Sequence, residues 1–283
     1  MPHQYPLVHI DDVKPENMDA DKGWRISQFR LPISKKQGSA TTAFHSRFLL
    51  GASHKKHLHT ECDELVYYIS GRGVAGAGKS WKEVRGGSFR LNPKGVEHWF
   101  WNRGGDEPVE MVGFYLGAGS VEETGYIYRG DVAEEDVLGS PGYYEYPIGH
   151  LDGVKPENMN ADEGWCITDF RLPLSKREGC ASTLFRARFK PGAVHNKHHH
   201  ANCDEIYCII SGLGLAGAGD DRVEVRGGHF HFIPKGVEHW LHNLSGAEPI
   251  EVVGVYLGAE SVEETGYVYT GDVTEEDIQS RTA

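Results

Sequence analysis

The feature that most constrains this chain is that it is written twice. Sliding the sequence by 141 residues lays positions 9–137 over 150–278 without a gap, and about 80 of 129 positions coincide. VKPENM starts at Val13 and again at Val154, FRLP at Phe29 and Phe170, PKGVEHW at Pro93 and Pro234, and SVEETGY at Ser120 and Ser261. A repeat this long exceeds any solenoid unit, so each copy should fold around a core of its own. The boundary is expected in LGSPGYYEYP, residues 138–147, which has turn residues and no apolar periodicity. Two domains follow, residues 1–140 and 141–283, with QYPLVH at the chain start mirrored by EYPIGH after the connector.

Each copy reads as all-β. Glycine is frequent, at 36 residues, helical periodicity is scarce, and short β-branched or aromatic runs are separated by Gly, Pro, Asn and Asp. In the first copy strands are expected at 40–49, 57–59, 64–70, 88–92, 98–102 and 109–115, with turns at 71–78, 86–87 and 103–107. GRGVAGAG, residues 71–78, has the composition of a phosphate cradle. Such a loop must open a helix, and no helical pattern follows, so a hairpin turn is expected there. The acidic stretches DVAEED and DVTEED read as capped surface turns. Seven or more short strands in about 140 residues suggest a sandwich or jelly roll closing on an interior site.

The charge of −12 argues against nucleic acid or an anionic membrane as partner, since both select a basic patch. No apolar run approaches the roughly 20 residues of a spanning helix, and the opening MPHQYPLVHIDD lacks the pattern of a secretion signal. The five cysteines, Cys62, Cys166, Cys180, Cys203 and Cys208, are odd in number and form no C-x-x-C pair. They read as reduced thiols of a cytoplasmic protein.

The chemistry-bearing residues recur at fixed spacing. His57 and His59 share one face of a strand, Glu64 follows five residues on, and His98 comes after a Pro-Lys-Gly turn. Three neutral imidazoles and a carboxylate converging on one point form a ligand set for a divalent first-row metal. The second copy repeats them as His198, His200, Glu205 and His239.

The pattern Gly51-x5-His57-x-His59-x4-Glu64-x6-Gly71, then Gly87-x5-Pro93-x-Gly95-x2-His98-x3-Asn102, resembles the two motifs of the cupin superfamily. The second copy matches from Gly192 to Gly212 and from Gly228 to Asn243. The resemblance spans essentially the whole chain and implies a bicupin of two double-stranded β-helix (jelly-roll) barrels. It implies a metal ion in each barrel, held by the eight residues just named. Fe(II) or Mn(II) suits the set best, and Zn, Ni, Co and Cu are admitted.

His54 and His195 stand three residues ahead of the first ligand in each copy. Oxalate-decarboxylase-like cupins typically carry a substrate-facing arginine at that place. Two readings stay open for histidine there: a group that moves a proton, where an arginine would clamp a carboxylate, or a solvent-facing loop residue, beside Lys55 and Lys56 in the first copy. Nothing resembles that subfamily's Ser-Glu-Asn-Ser lid, which points away from oxalate. Cys62 and Cys203, two residues before the glutamates, are expected to pack rather than to bind metal. Strand parity places Val66, Tyr68, Phe100 and Asn102 in the first pocket and Tyr207, Ile209, Leu241 and Asn243 in the second. On the neighbouring strand the first copy carries Ser88 and Arg90 where the second has His229 and His231.

These readings converge on a metal-dependent enzyme with a small-molecule substrate, with homo-oligomerisation left open. The leading expectation is a non-haem Fe(II) or Mn(II) dioxygenase acting on an enol, diketone or aromatic compound. A redox-neutral isomerase, cyclase or lyase is the alternative, and a non-catalytic ligand-binding module the third.

Overall fold

The computed structural model describes residues 4–138 and 146–279. Its contacts divide the chain into two units. One is Asp12–Gly153; the other joins Met1–Asp11 to Val154–Ala283. Most of the expected connector, residues 139–145, lies outside the described residues.

Each unit is a pair of six-stranded antiparallel sheets enclosing an apolar core. In Asp12–Gly153 the first sheet runs, strand by strand, Ile148–His150, Ser88–Asn92, Asp63–Ser70, Val109–Leu116, Thr42–Phe48 and Gln28–Ile33. The second runs Tyr126–Gly130, Ser53–His59, His98–Trp101, Arg72–Ala77 and Ser80–Arg85, with the short strand Trp24–Arg25 also paired to Ser53–His59. The other unit repeats this order with its own strands. The core between the sheets holds Phe29, Phe44, Phe48, Val66, Tyr68, Phe100 and Tyr115 in the first barrel, and Phe170, Phe185, Phe189, Tyr207, Ile209, Leu241 and Tyr256 in the second. The tandem jelly roll expected from the repeat is therefore what the chain forms. Among the described residues no helix is long and apolar enough to cross a membrane, and none of the five cysteines is in a disulfide.

Two expectations differ from the structure. Residues 71–78 are not simply a turn: Arg72–Ala77 is a strand, bounded by Gly71 and Gly78 at positive φ. Its glycines serve close packing. A Cβ on Gly76 would lie 1.9 Å from the Trp99 indole, and one on Gly73 would lie 2.5 Å from the Phe100 ring. Small residues here let large aromatic neighbours lie flat on the strand. The strand Ser80–Arg85 follows rather than a helix, so no phosphate cradle exists at this place.

The second difference is the domain boundary. Leu7–His9, at the start of the first copy, pairs with His229–Ile233. Ile148–His150 occupies the matching place beside Ser88–Asn92. Each repeat thus contributes its first strand to the barrel built mainly from the other repeat, and a cut at 140/141 does not follow the contacts. The two strands read LVH and IGH. Nothing in such near-equivalent sequences says which sheet edge takes which strand.

Candidate metal centres

In the first barrel His57 and His59 lie on Ser53–His59, Glu64 on Asp63–Ser70 of the facing sheet, and His98 opens His98–Trp101 directly across from His57. All four are buried, and one ligand atom from each lies within 4.8 Å of the others. His198, His200, Glu205 and His239 repeat the cluster in the second barrel.

The protonation pattern suits a cation. His57 Nδ1 stands 2.6 Å from the Lys55 carbonyl and His98 Nδ1 2.8 Å from that of Val96. A carbonyl only accepts, so each Nδ1 carries the proton and each Nε2 keeps a bare lone pair. Burial pushes both imidazoles below the usual histidine range, which keeps them neutral. Nε2 of His57, His59 and His98 is buried without a hydrogen-bond partner. Two of these nitrogens face Glu64 Oε2, at 3.3 Å from His59 and 3.7 Å from His98. Burial alone would raise the Glu64 carboxyl, but positive charge placed at His98 and His59 outweighs it, so a cation among these nitrogens favours the ionised form. Lone pairs facing a carboxylate in a buried pocket are destabilising unless a positive ion lies among them. The second barrel matches, with His198 Nδ1 on Asn196 O at 2.6 Å and His239 Nδ1 on Val237 O at 2.9 Å. There His239 Nε2 is hydrogen-bonded to Glu205 Oε2 at 3.0 Å and His200 Nε2 lies 3.2 Å from it, while Nε2 of His198 and His200 has no hydrogen-bond partner. The residues present fit a divalent ion in both barrels.

His54 is neither in a loop nor exposed. Opposite Phe100 and His98, the strand carries one extra residue between His54 and His57. This bulge reverses the parity and turns His54 to the ligand side. Its ring stacks on His57, with centroids 3.7 Å apart, and packs at a tilt against Trp24 at 4.3 Å. His195 does the same with His198, at 3.8 Å, and Trp165, at 4.2 Å. Burial lowers both pKa values, and neither Nε2 has a hydrogen-bond partner. Tyr126 flanks His57 at 5.0 Å and Tyr115 flanks His59 at 4.9 Å, with Tyr267 and Tyr256 as their counterparts. None of these aromatic neighbours was singled out from sequence. The repeated stretch SVEETGY contains Tyr126 and Tyr267, but nothing in it indicated a place beside the ligands.

The expected pocket residues divide. Val66, Tyr68 and Phe100 are buried in the first core. Tyr207 and Leu241 line a cavity of about 30 Å³ beside His195, His198, Glu205 and His239, whereas Ile209 packs in the second core. Asn102 and Asn243 bind backbone instead: Asn102 Nδ2 donates to Phe48 O and Glu107 O, Asn243 Nδ2 to Phe189 O and Glu248 O. They fasten turns, because a buried primary amide must spend its donors on whatever carbonyls surround it. Arg90 and His231 are buried, but Ser88 and His229 bond to the backbone of Arg85 and Arg226 at strand-joining turns. The Cys62 and Cys203 thiols are pushed up to about 12, mainly by burial, and so remain protonated and packed.

Comparison with known proteins agrees with this geometry. The family described as "Cupin domain" matches residues 44–115 and 185–256, which together span just over half of the chain. The chain belongs to the cupin family. Among solved structures this cupin is similar to an arginine-to-alanine variant of Bacillus subtilis oxalate decarboxylase, at 15% identity and a TM-score of 0.72, covering 98% of this chain and 81% of that one. It is also similar to Lactobacillus farciminis oxalate decarboxylase in a formate complex, at 14% identity and a TM-score of 0.71, covering 92% and 88%. At such identities the likeness establishes the bicupin fold. No curated protein sequence matches.

Proposed function

We propose that this bicupin is a metal-dependent enzyme acting on a small organic molecule, with one divalent first-row ion per barrel. The observation that carries the reading is the buried cluster of three imidazoles and a glutamate, with ligand atoms within 4.8 Å of one another, present twice. The favoured reaction is oxygen-dependent cleavage or oxidation of an enol, diketone or aromatic compound, for which bound Fe(II) or Mn(II) supplies one-electron chemistry and charge neutralisation. The chain's own part is to orient and to exclude water. Backbone carbonyls fix the tautomers of His57, His98, His198 and His239. Apolar and aromatic walls keep the interior dry. His54 and His195, neutral and stacked on the first ligand of each barrel, hold a proton site at Nε2. Phe170 lines both the inner cavity of the second barrel and an outer groove of about 720 Å³ that includes Trp165 and Tyr267. Substrate is taken to enter past these rings.

A redox-neutral lyase or isomerase is the second reading. It is favoured by Arg90, a buried cation in the first barrel whose charge acts on His54 and His98, and by the likeness to oxalate decarboxylases. Anaerobically reconstituted protein should bind two equivalents of Fe(II) and consume oxygen with a member of a diketone and aromatic-diol panel. Turnover that persists without oxygen and with Zn(II) would replace the first reading by the second. Binding well under one equivalent of any metal would remove both.

A further inference from the structure

The two barrels share every ligand but not the pair of residues beside the ligand glutamate. Where the first barrel has Val66 opposite Arg90, the second has Tyr207 opposite His231. All four are buried. Tyr207 Oη and His231 Nδ1 are 2.8 Å apart, with the rings edge-on at 5.3 Å. Tyr207 stands two residues from Glu205 on the same strand face and lines the small cavity shared with His195, His198, Glu205 and His239. A buried phenol needs a partner, but a core tyrosine can find one in a backbone carbonyl. Here the partner is a ring with two tautomers.

The pair holds its hydrogen bond in either of two ways. With Nδ1 bare, the phenol donates to it and turns oxygen lone pairs toward the cavity. With Nδ1 protonated, the imidazole donates to the phenol oxygen, and the phenol proton is free to point at whatever occupies the cavity. Neither arrangement carries a charge. A cavity of about 30 Å³ has room for a water or two, and a ligand of a few atoms suits it.

We propose that Tyr207, positioned by His231, is a hydrogen-bond donor to a few-atom ligand with an acceptor end, bound at the second barrel's metal centre. The first barrel has no phenol at that place: Val66 stands opposite Arg90, whose guanidinium is a cationic donor and not a neutral one. The inference rests on reading the cluster as a metal centre. It assigns Tyr207 a ligand contact and His231 a positioning role, and it gives the two centres different small-ligand preferences.

The test uses full-length protein carrying His59→Ala, so that the second barrel provides the signal, loaded with Co(II) and titrated with azide. Tyr207→Phe, which keeps the ring and deletes the donor, should weaken azide about tenfold and shift its infrared stretching band. His231→Phe should give a smaller loss and a broadened band, because the phenol stays but is no longer held. The converse variant, Val66→Tyr with Arg90→His in a His200→Ala background, should move the first barrel's azide band toward that of the second. An azide band and affinity unchanged by Tyr207→Phe, with Co(II) still bound, would overturn the proposal alone. Failure of the His59→Ala protein to bind Co(II) would sink the metal reading beneath it. The band position, unlike overall stability, does not respond to a tyrosine that merely fills space.

Discussion

The two barrels hold the same four ligands in nearly the same geometry and surround them differently. In both, Nδ1 of the first and last histidine rests on a carbonyl two residues upstream, at 2.6 and 2.8 Å in one barrel and 2.6 and 2.9 Å in the other. His54, Trp24, Tyr115 and Tyr126 on one side of the ligands repeat as His195, Trp165, Tyr256 and Tyr267, but the residues beside the glutamate do not. Glu64 Oε1 accepts from Asn92 at 2.8 Å, but the residue matching Asn92 is Ile233. Arg90 is replaced by His231, Val66 by Tyr207, and Trp101 by His242. Ligand geometry is therefore carried by the backbone of the strands and turns, and the interior walls are free to differ around it. Identical centres with unlike walls are what a division of labour between the barrels requires.

Acidification should produce the largest effect and test whether the barrels behave alike. Burial depresses His54, His57 and His98 in the first barrel, and His195, His198, His200 and His242 in the second. A group depressed in the folded state binds its proton more readily when unfolded. Stability is then fully present above the ordinary histidine value of 6.5 and is lost as pH falls from there toward the folded values. The metal-free protein should accordingly lose urea resistance between pH 7.5 and 5.5, the second barrel more steeply because it holds the additional imidazole. Bound metal, which competes with those protons, should flatten the profile. A flat metal-free profile would contradict the burial of neutral imidazoles.

The strand exchange offers a sharper contrast. Removing residues 1–11 takes Leu7–His9 off His229–Ile233 and Leu7 off the second core, while the first barrel keeps all its strands. A few ladder hydrogen bonds and one part-buried leucine amount to about 2–4 kcal/mol. Hydrogen exchange should accelerate in 229–233 and leave 88–92 unchanged. Acceleration in 88–92 with 229–233 unchanged would mean that the exchange is absent in solution.

Much of this architecture was readable in the residues and some was not. Histidine at i and i+2, a glutamate five residues on and a third histidine after Pro-Lys-Gly led to both ligand clusters, because strand periodicity and turn chemistry are local properties. The orientation of His54 was not readable, since it depends on a bulge that appears only once the strand is paired with its neighbour. Asn102 and Asn243 shared the parity of the ligands yet bind carbonyls at turns, which periodicity alone does not distinguish from a pocket. The exchange of Leu7–His9 and Ile148–His150 is a long-range choice between two nearly equal edges. It is decided by the path of the chain and not by the three residues in the strand.

The smallest expected differences concern the glutamate's support and the turn before each first histidine. Asn92→Ile copies the second barrel into the first and strips Glu64 of its amide donor. Loss of such a supporting hydrogen bond typically weakens metal binding about 10- to 100-fold, and Ile233→Asn should strengthen the second site by a smaller factor. Competition with a chelator would read both. Unchanged affinities would mean that the walls do not tune the metal at all. Gly51 and Gly192 are the control for the opposite expectation, that backbone features act alike in the two barrels. They stand at φ +78° and +80°, and an added Cβ would meet nothing within 4 Å at either place. The cost of alanine there is conformational only, about 1 kcal/mol, and should be equal in the two variants by urea unfolding. A markedly unequal cost would show that the barrels differ in their scaffold as well as in their walls, and the contrast could no longer be assigned to the side chains around the ligands.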